Sequence, residues 1–348
     1  LMKFLKFAIA IMLVMCIVRW INPPGVMAQS QLVELGNFPV CEPSAVTEIS
    51  CPNSQEKCLL VGDNETKDSL FLFPIKAKRL QVENRQTLEI KQGEISDVEA
   101  LTALGKDEVF MVGSHSRNKS CEVKPNRQRF LRAQVKEKDI IPLDSLGQTK
   151  AISSQLLIDG EALAKSKPLQ KLAKAIDQAE LAANQATDNQ MACDHAQAFN
   201  IEGAVYLKDK EDSVWLGLRS PLVSMGGNEW AVLARLKNLN KIQFDQVVLL
   251  NLEGRGIRDL TYHDNQLWGI AGGPGDDQDN FFLWKTPLSG LKADAMVTPK
   301  RLEEQIPPSS EGLAISGDKA YVLVDGDRGK GSEPSCKVPG KFLEISLK

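Results

Sequence analysis

Apolar residues recur at every second position through most of this 348-residue chain, in short runs separated by Gly, Asn and Asp. Alternation of that kind predicts strands joined by hairpins. Laid over one another, the runs share a unit: a short, usually acidic strand, a second strand ending near Gly or Asp, and a third rich in Phe, Leu or Trp. The openings are VTEIS (46–50), DVEAL (97–101), NIEGAV (200–205), GIRDL (256–260) and SEGLAI (310–315). Second strands follow at 58–64, 108–115, 214–220, 266–273 and 320–327, and third strands at 69–75, 129–135, 230–236, 281–286 and 341–347. Runs such as RLQVEN, DIIPLD and QVVLLNL are available as fourth strands.

Glu48 to Glu99 is 51 residues, Glu202 to Arg258 is 56, and Arg258 to Glu311 is 53. A period near 50 with three or four strands per unit predicts an all-β chain folded as a β-propeller, because each sheet alone leaves both faces uncovered. The interval from Glu99 to Glu202 is about double, at 103 residues. Within it, LQKLAKAIDQAELAANQ places Leu169, Leu172, Ile176 and Ala179 on one helical face, which predicts a helical insertion over about 154–192. Five units predict five blades, with six as the alternative if residues 136–198 hide a degenerate one. The last unit ends after its third strand, so residues 31–36 are expected to complete it, with Cys41 and Cys336 fastening the seam.

The start of the chain reads differently. Lys3 and Lys6 precede twelve unbroken apolar residues from Phe7 to Val18, and Val26-Met27-Ala28 supplies a cleavage-type site. Residues 1–28 are thus expected to be a signal peptide, leaving 29–348 as a single propeller domain, secreted or periplasmic. The apolar run is short of the roughly 20 residues of a helical span, so no membrane span is expected after cleavage. Removing it takes the formal charge from −3 to −6, which argues against a nucleic-acid partner. Six cysteines then remain, and an even number in an exported chain favours disulfides over zinc thiolates. Cys51 with Cys58, across a hairpin loop, is the local pair.

In a propeller the first strands line the central channel, so superposing the openings brings Glu48, Glu99, Glu202, Arg258 and Glu311 to one level. Two readings stand. Crowded carboxylates can recruit Ca²⁺ or form an acid/base pair, with arginine holding an anion. Alternatively, each Glu accepts backbone N–H bonds from the next blade and Arg258 neutralises the set. Second strands end near the same rim with Asp63, His115, Arg219 and Asp325, among polar loops such as GSHSRNKS (113–120) and DGDRGKG (325–331). Other chemistry is poorly represented: the three histidines lack metal-ligand spacing, and no P-loop or GxSxG elbow occurs. GGPGDDQDN (272–280) offers Asp277 and Asp279 without the rest of a calcium loop.

The stretches SHSRNKS, NIEGAV, LGLRSPL, GRGIRDL and SEGLAI together resemble an uncharacterised family of often exported bacterial proteins carrying a domain of unknown function. The resemblance runs from about residue 45 to the end, outside the helical insertion. More distantly, the chain is similar to esterase-like phytase-type propellers. The nearer resemblance implies a propeller and no established reaction. The calcium-dependent phytases imply phosphoester hydrolysis, with acids holding cations and basic groups holding phosphate. Glu99, Glu202, Glu311, Arg219 and Arg258 fall on the nearer family's own motif positions.

The resulting expectation is an exported propeller hydrolysing a phosphoester or other ester with a divalent cation. Glu202, Arg258 and Glu311 are the expected catalytic residues. Arg219, His115, Ser114 and Asn200 are expected to bind a small anionic ligand. Glu99, Glu202, Glu311 and Asp325 are the expected Ca²⁺ ligands. The alternative is a non-catalytic propeller module that binds a ligand or an envelope protein.

Overall fold

The computed structural model describes residues 31–36, 39–91, 95–147, 152–208, 213–275, 280–328 and 335–347. The signal-peptide segment and Asp277 and Asp279 lie outside the described residues.

Antiparallel strands dominate, in five successive units. The opening strands are Pro43–Ser50, Val98–Ala103, Asn200–Leu207, Gly256–His263 and Ser310–Ser316. Each pairs with the strand that follows it, and that one with a third. The five openings pack side by side in chain order, and the last returns to the first. This is a β-propeller. Residues 136–198, the stretch open to a sixth blade, hold the second unit's fourth strand, Asp139–Gly147, and four helices among the described residues.

Alternation explains why the sheets stack. In the first unit Leu60, Leu70 and Leu72 face one way and join Val109, Met111 and Leu131 of the second unit. Their neighbours Leu59, Val61, Phe71 and Phe73 face the other way, against Tyr321, Leu323 and Phe342 of the last unit. Units two and three meet through Phe110 and Leu216, three and four through Trp215 and Trp284, four and five through Ile270 and Val322. Every interior strand is therefore buried on both faces. A one-residue slip would exchange the two sets of side chains.

Fourth strands are less regular. Gln86–Ile90 fills this place in the first unit, while RLQVEN forms only the short strand Arg79–Leu80 and a turn. Lys241–Leu250 and Lys300–Gln305 serve units three and four, and Leu32–Glu34 completes the last sheet against Lys341–Ser346. Cys41 is bonded to Cys336 beside that closure, and Cys51 to Cys58 across its hairpin.

The insertion comprises α1 (Ser154–Leu157), α2 (Gly160–Lys165), α3 (Lys167–Gln185) and α4 (Gln190–Ala196). The Ser166 side chain caps α3 by accepting from Leu169 N at 3.0 Å. Its predicted apolar face, Leu169, Leu172, Ile176 and Ala179, is buried against the third unit's sheet. Two further ties come from the 114–128 loop of the second unit. Cys121 is bonded to Cys193, and the buried Arg117 guanidinium donates to Glu180 at 2.6 Å. Glu180 in turn accepts from Phe199 N at 3.0 Å, which fixes the chain just before the third opening strand.

The seam closes a far longer stretch of chain than the hairpin does, with separations of 295 and 7 residues. Chain entropy puts the two bonds at about 6 and about 2 kcal/mol. Serine replacement of Cys41 and Cys336 is thus expected to lower the thermal midpoint more than the same change at Cys51 and Cys58, as differential scanning calorimetry would measure.

Candidate functional site at the channel mouth

The opening strands share one irregularity. The pairing register slips by one residue between Pro43 and Ala45, Val98 and Ala100, Ile201 and Gly203, Ile257 and Asp259, and Ser310 and Gly312. Such a bulge leaves one residue unpaired and re-aims its side chain. The bulged residues are Ser44, Glu99, Glu202, Arg258 and Glu311. Four of the five ring members expected from sequence are therefore equivalent, and the fifth position belongs to Ser44. Glu48 lies four residues further along and pairs with Lys57 at 2.7 Å near the surface. Charge alone aligns VTEIS on its glutamate, whereas the bulge register aligns PSAV with VEAL.

Glu202 is the centre of an ion network. Its Oε1 accepts from Arg219 Nη1 at 2.9 Å and from Asn200 Nδ2 at 3.1 Å. Its Oε2 faces Arg258 Nε at 2.8 Å, off the line of a hydrogen bond, so that contact is an ion pair only. Arg258 also donates through Nη2 to Glu311, and its guanidinium lies 5.4 Å from the centre of the Phe281 ring. Arg219 Nη2 donates to Gly275 O at 2.6 Å. Gly256 permits this arrangement, since a Cβ there would stand 2.0 Å from Arg219 O. Three units thus contribute to one chain of charges, and Glu202 and Arg258 are 3 % and 4 % exposed.

Glu99 stands apart. Its carboxyl makes no hydrogen bond or ion pair among the described residues, although it is 8 % exposed. Burial first, then the charges of Asp97, Glu202 and Glu311, hold its pKa well above the ordinary carboxylate range, with only Arg258 opposing. Glu311 is raised for the same leading reason. Asp325 is pushed up to about 9 by burial and by Glu311, Glu42 and Asp63, and its Oδ1 is buried without a partner. Asp325 thus carries a proton at neutral pH, and burial biases Glu99 in the same direction.

The glutamates do not serve as backbone ties. That task falls to Ser44, which donates to Val98 O at 2.6 Å, to Thr102, which accepts from Tyr206 N at 2.9 Å, and to Asp259, which accepts from Leu313 N at 2.6 Å. Asp259 is fully buried, and burial raises its pKa well above the usual value. Its place one residue after Arg258 in GIRDL gives no warning of this role.

His115 does not join the mouth. Its ring packs 4.6 Å from Phe130 and 6.2 Å from Phe199, and its Nδ1 donates to Gly113 O at 2.7 Å. Burial lowers its pKa to about 4, so it is a neutral core imidazole. Ser114 is equally enclosed and donates to Asp97. Asp97, which no sequence pattern singles out, also accepts from Ser116 Oγ at 3.2 Å and faces Arg127 at 3.1 Å. Asp63 accepts from Cys41 N and Glu42 N at 2.9 and 2.8 Å and so anchors the seam.

Among the described residues no three acidic, histidine or cysteine side chains are arranged to hold a metal ion. Glu202 faces two guanidiniums and Glu311 a third contact from Arg258. The four expected Ca²⁺ ligands therefore do not form a fitting donor set. A cavity of about 650 Å³ at the far ends of the first two opening strands, lined by Cys51, Pro52 and Lys136, contains none of these groups.

Two outcomes test this geometry. Glu202→Gln strands two guanidiniums and is expected to cost about 3 kcal/mol in urea unfolding, whereas Glu48→Gln, at the surface, should cost less than about 1. For Glu99, whose folded pKa is raised, stability is fully present below the ordinary value and is lost as pH rises through the folded one, because the native state retains a proton that the unfolded chain releases. Glu99→Gln is thus expected to be more stable than the parent at about pH 8, the gap closing towards about pH 4.

Residues 48–307 match the family model described as "Protein of unknown function (DUF3616)". No curated protein matches by sequence. Among solved structures, the GH43_1 enzyme from Xanthomonas citri is 7% identical over 92% of this chain and 91% of its own, with a TM-score of 0.45. A β-1,3-galactosidase of GH43, BT3683, is 10% identical over 87% and 90%, with a TM-score of 0.43. PhoX of Pseudomonas fluorescens, in complex with vanadate, is 11% identical over 88% and 53%, with a TM-score of 0.27. On the extent of the family match, the chain belongs to the family of proteins of unknown function DUF3616.

Proposed function

We propose that this protein is an exported hydrolase that cleaves a neutral oxygen-linked bond, glycosidic or carboxylic ester, at the channel mouth. The observation that carries the reading is Glu99: a buried carboxyl without a partner among the described residues, biased towards its protonated form by burial and by the charges of Asp97, Glu202 and Glu311. Paired carboxyl groups whose environments drive their protonation apart are the usual equipment for acid–base hydrolysis. Glu99 donates its proton to the departing oxygen. Glu202, held between Arg219 and Arg258, stabilises positive charge developing at the carbon under attack, and the water that adds there returns its proton to Glu99.

Charge balance argues against a phosphoester. Asp97, Glu202 and Glu311 are matched one for one by Arg127, Arg219 and Arg258, which leaves no net positive charge to hold a doubly charged phosphate. Three disulfides support an oxidising compartment, and among the described residues no helix is long and apolar enough to cross a membrane.

One observation favours a second reading, a binding module: both oxygens of Glu202 are already engaged, as in a purely structural network. Purified protein assayed against aryl glycosides, aryl acetates and aryl phosphates separates the two. The expected result is turnover of a glycoside or acetate that declines as pH rises through the Glu99 pKa and falls about 100-fold or more in Glu99→Gln. No turnover of any substrate, or turnover indifferent to Glu99→Gln, would overturn the hydrolase and leave the binding module.

A further inference from the structure

A cleft of about 410 Å³ opens between the first two units, beside the acid cluster. One wall is the turn after Lys57–Asp63, with Asn64, Glu65 and Lys67; the other is the approach to Val98–Ala103 with Asp97, and the loop carrying Lys124 and Arg127. Asp97 belongs to the cleft and to the mouth at once. It lines the cleft, while its charge acts on Glu99 two residues later in the chain. Whatever occupies the cleft therefore lies against Asp97, two residues before the proposed proton donor in the chain.

The lining selects a chemistry. Pro125 is its only apolar residue, so the cleft is no site for a hydrophobic group. Asn64 Oδ1 is buried without a hydrogen-bond partner, and Ser96 and Asn126 line the walls beside Asn118, whose carboxamide is already engaged with Ser120 N and Glu122. These groups suit hydroxyls, which both donate and accept. Lys67, Lys124 and Arg127 exceed Glu65 and Asp97 by one positive charge. Lys124 is engaged with Glu122 at 2.7 Å, and Arg127 with Asp97 and, at 2.9 Å, with Ser116 Oγ. Lys67 makes no hydrogen bond or ion pair with the described residues, and it is exposed. A single uncommitted ammonium among carboxamides matches a hydroxylated ring bearing one carboxylate.

We infer that the cleft between the first and second units is a subsite for an acidic sugar unit, a hexuronate, adjoining the position where Glu99 acts. This rests on the hydrolytic reading of the mouth and adds the substrate class. Lys67 holds the carboxylate, Asn64 a ring hydroxyl, and Asp97 with Arg127 closes the end nearest the reaction. The bond cleaved would join the hexuronate to the next unit, lying over Glu99.

Binding is measured apart from turnover, by ligand-observed NMR titration with D-glucuronate, D-glucose and inorganic phosphate. D-glucuronate is expected to bind about tenfold more tightly than D-glucose, since a charge-assisted contact is at stake. Lys67→Ala should abolish that preference, and Glu99→Gln should leave it intact. Equal affinity for the two sugars, glucuronate binding unchanged by Lys67→Ala, or phosphate binding as tight as glucuronate would each overturn the subsite. If glucuronate binds as expected but no glycoside or ester is turned over, the hydrolytic reading falls and the site remains; turnover without selective binding removes the subsite and leaves the hydrolase.

Discussion

One constraint shapes the middle of this molecule: ionisable groups from several units are forced into a space that water scarcely reaches. The bulge in each opening strand brings this about, since it turns one residue per unit out of the regular pairing at a matched level. Serine, three glutamates and an arginine occupy those positions. Desolvation penalises every unpaired charge there, so the carboxyls have two routes: a guanidinium or a proton. Glu202 takes the first route. Asp325, at the adjoining strand end, takes the second, and burial biases Glu99 towards it.

The rest of the fold supplies the rigidity that makes the crowding sustainable. Each interface between units is a continuous apolar cluster drawn from alternating positions of two sheets, so no unit can shift without exposing its neighbour's side chains. Ser44, Thr102 and Asp259 stitch adjacent opening strands directly. The helical insertion acts on the same region from outside. Glu180, anchored by Arg117, holds Phe199 N, and three residues later the chain delivers Glu202. Insertion, disulfide and loop thus form one brace behind the ion network.

Much of this is legible in the sequence, for a physical reason: strands buried on both faces keep period-two alternation while staying apolar, so the units and the α3 face stand out. Two disulfides follow from topology and hairpin spacing, because a ring that closes on itself must bring residues 31–36 back to the last strand. The bulge register is legible only in part. Ser44 carries no charge to align on, and the nearby Glu48 draws the alignment four residues away. His115 resembles a ligand because histidine at a strand end is common in sites; only the Phe130 and Phe199 rings reveal it as core. Asp97 and the Cys121–Cys193 bond depend on contacts across loops, where no periodicity points to a partner.

The imbalance of charge at the mouth bears on what the ring is for. A network whose sole task were to join units would pair each carboxylate with a cation, as Glu202 is paired, or dispense with the charge altogether, because buried ion pairs seldom outperform well-packed apolar groups. Glu99 fits neither description. It is desolvated, it lacks a partner, and its replacement by a neutral residue would relieve the fold at neutral pH. Stability therefore gives no reason for a carboxyl at this position, whereas proton transfer does, since a buried acid retained in its neutral form is the state from which a proton can be donated. Arg258 sharpens the contrast: it neutralises Glu202 and Glu311 on one side and leaves Glu99 opposed by the weakest of its influences. The same bulge thus yields an ion-paired group in one unit and, on the hydrolytic reading proposed above, a proton donor in another, according to whether a guanidinium faces it.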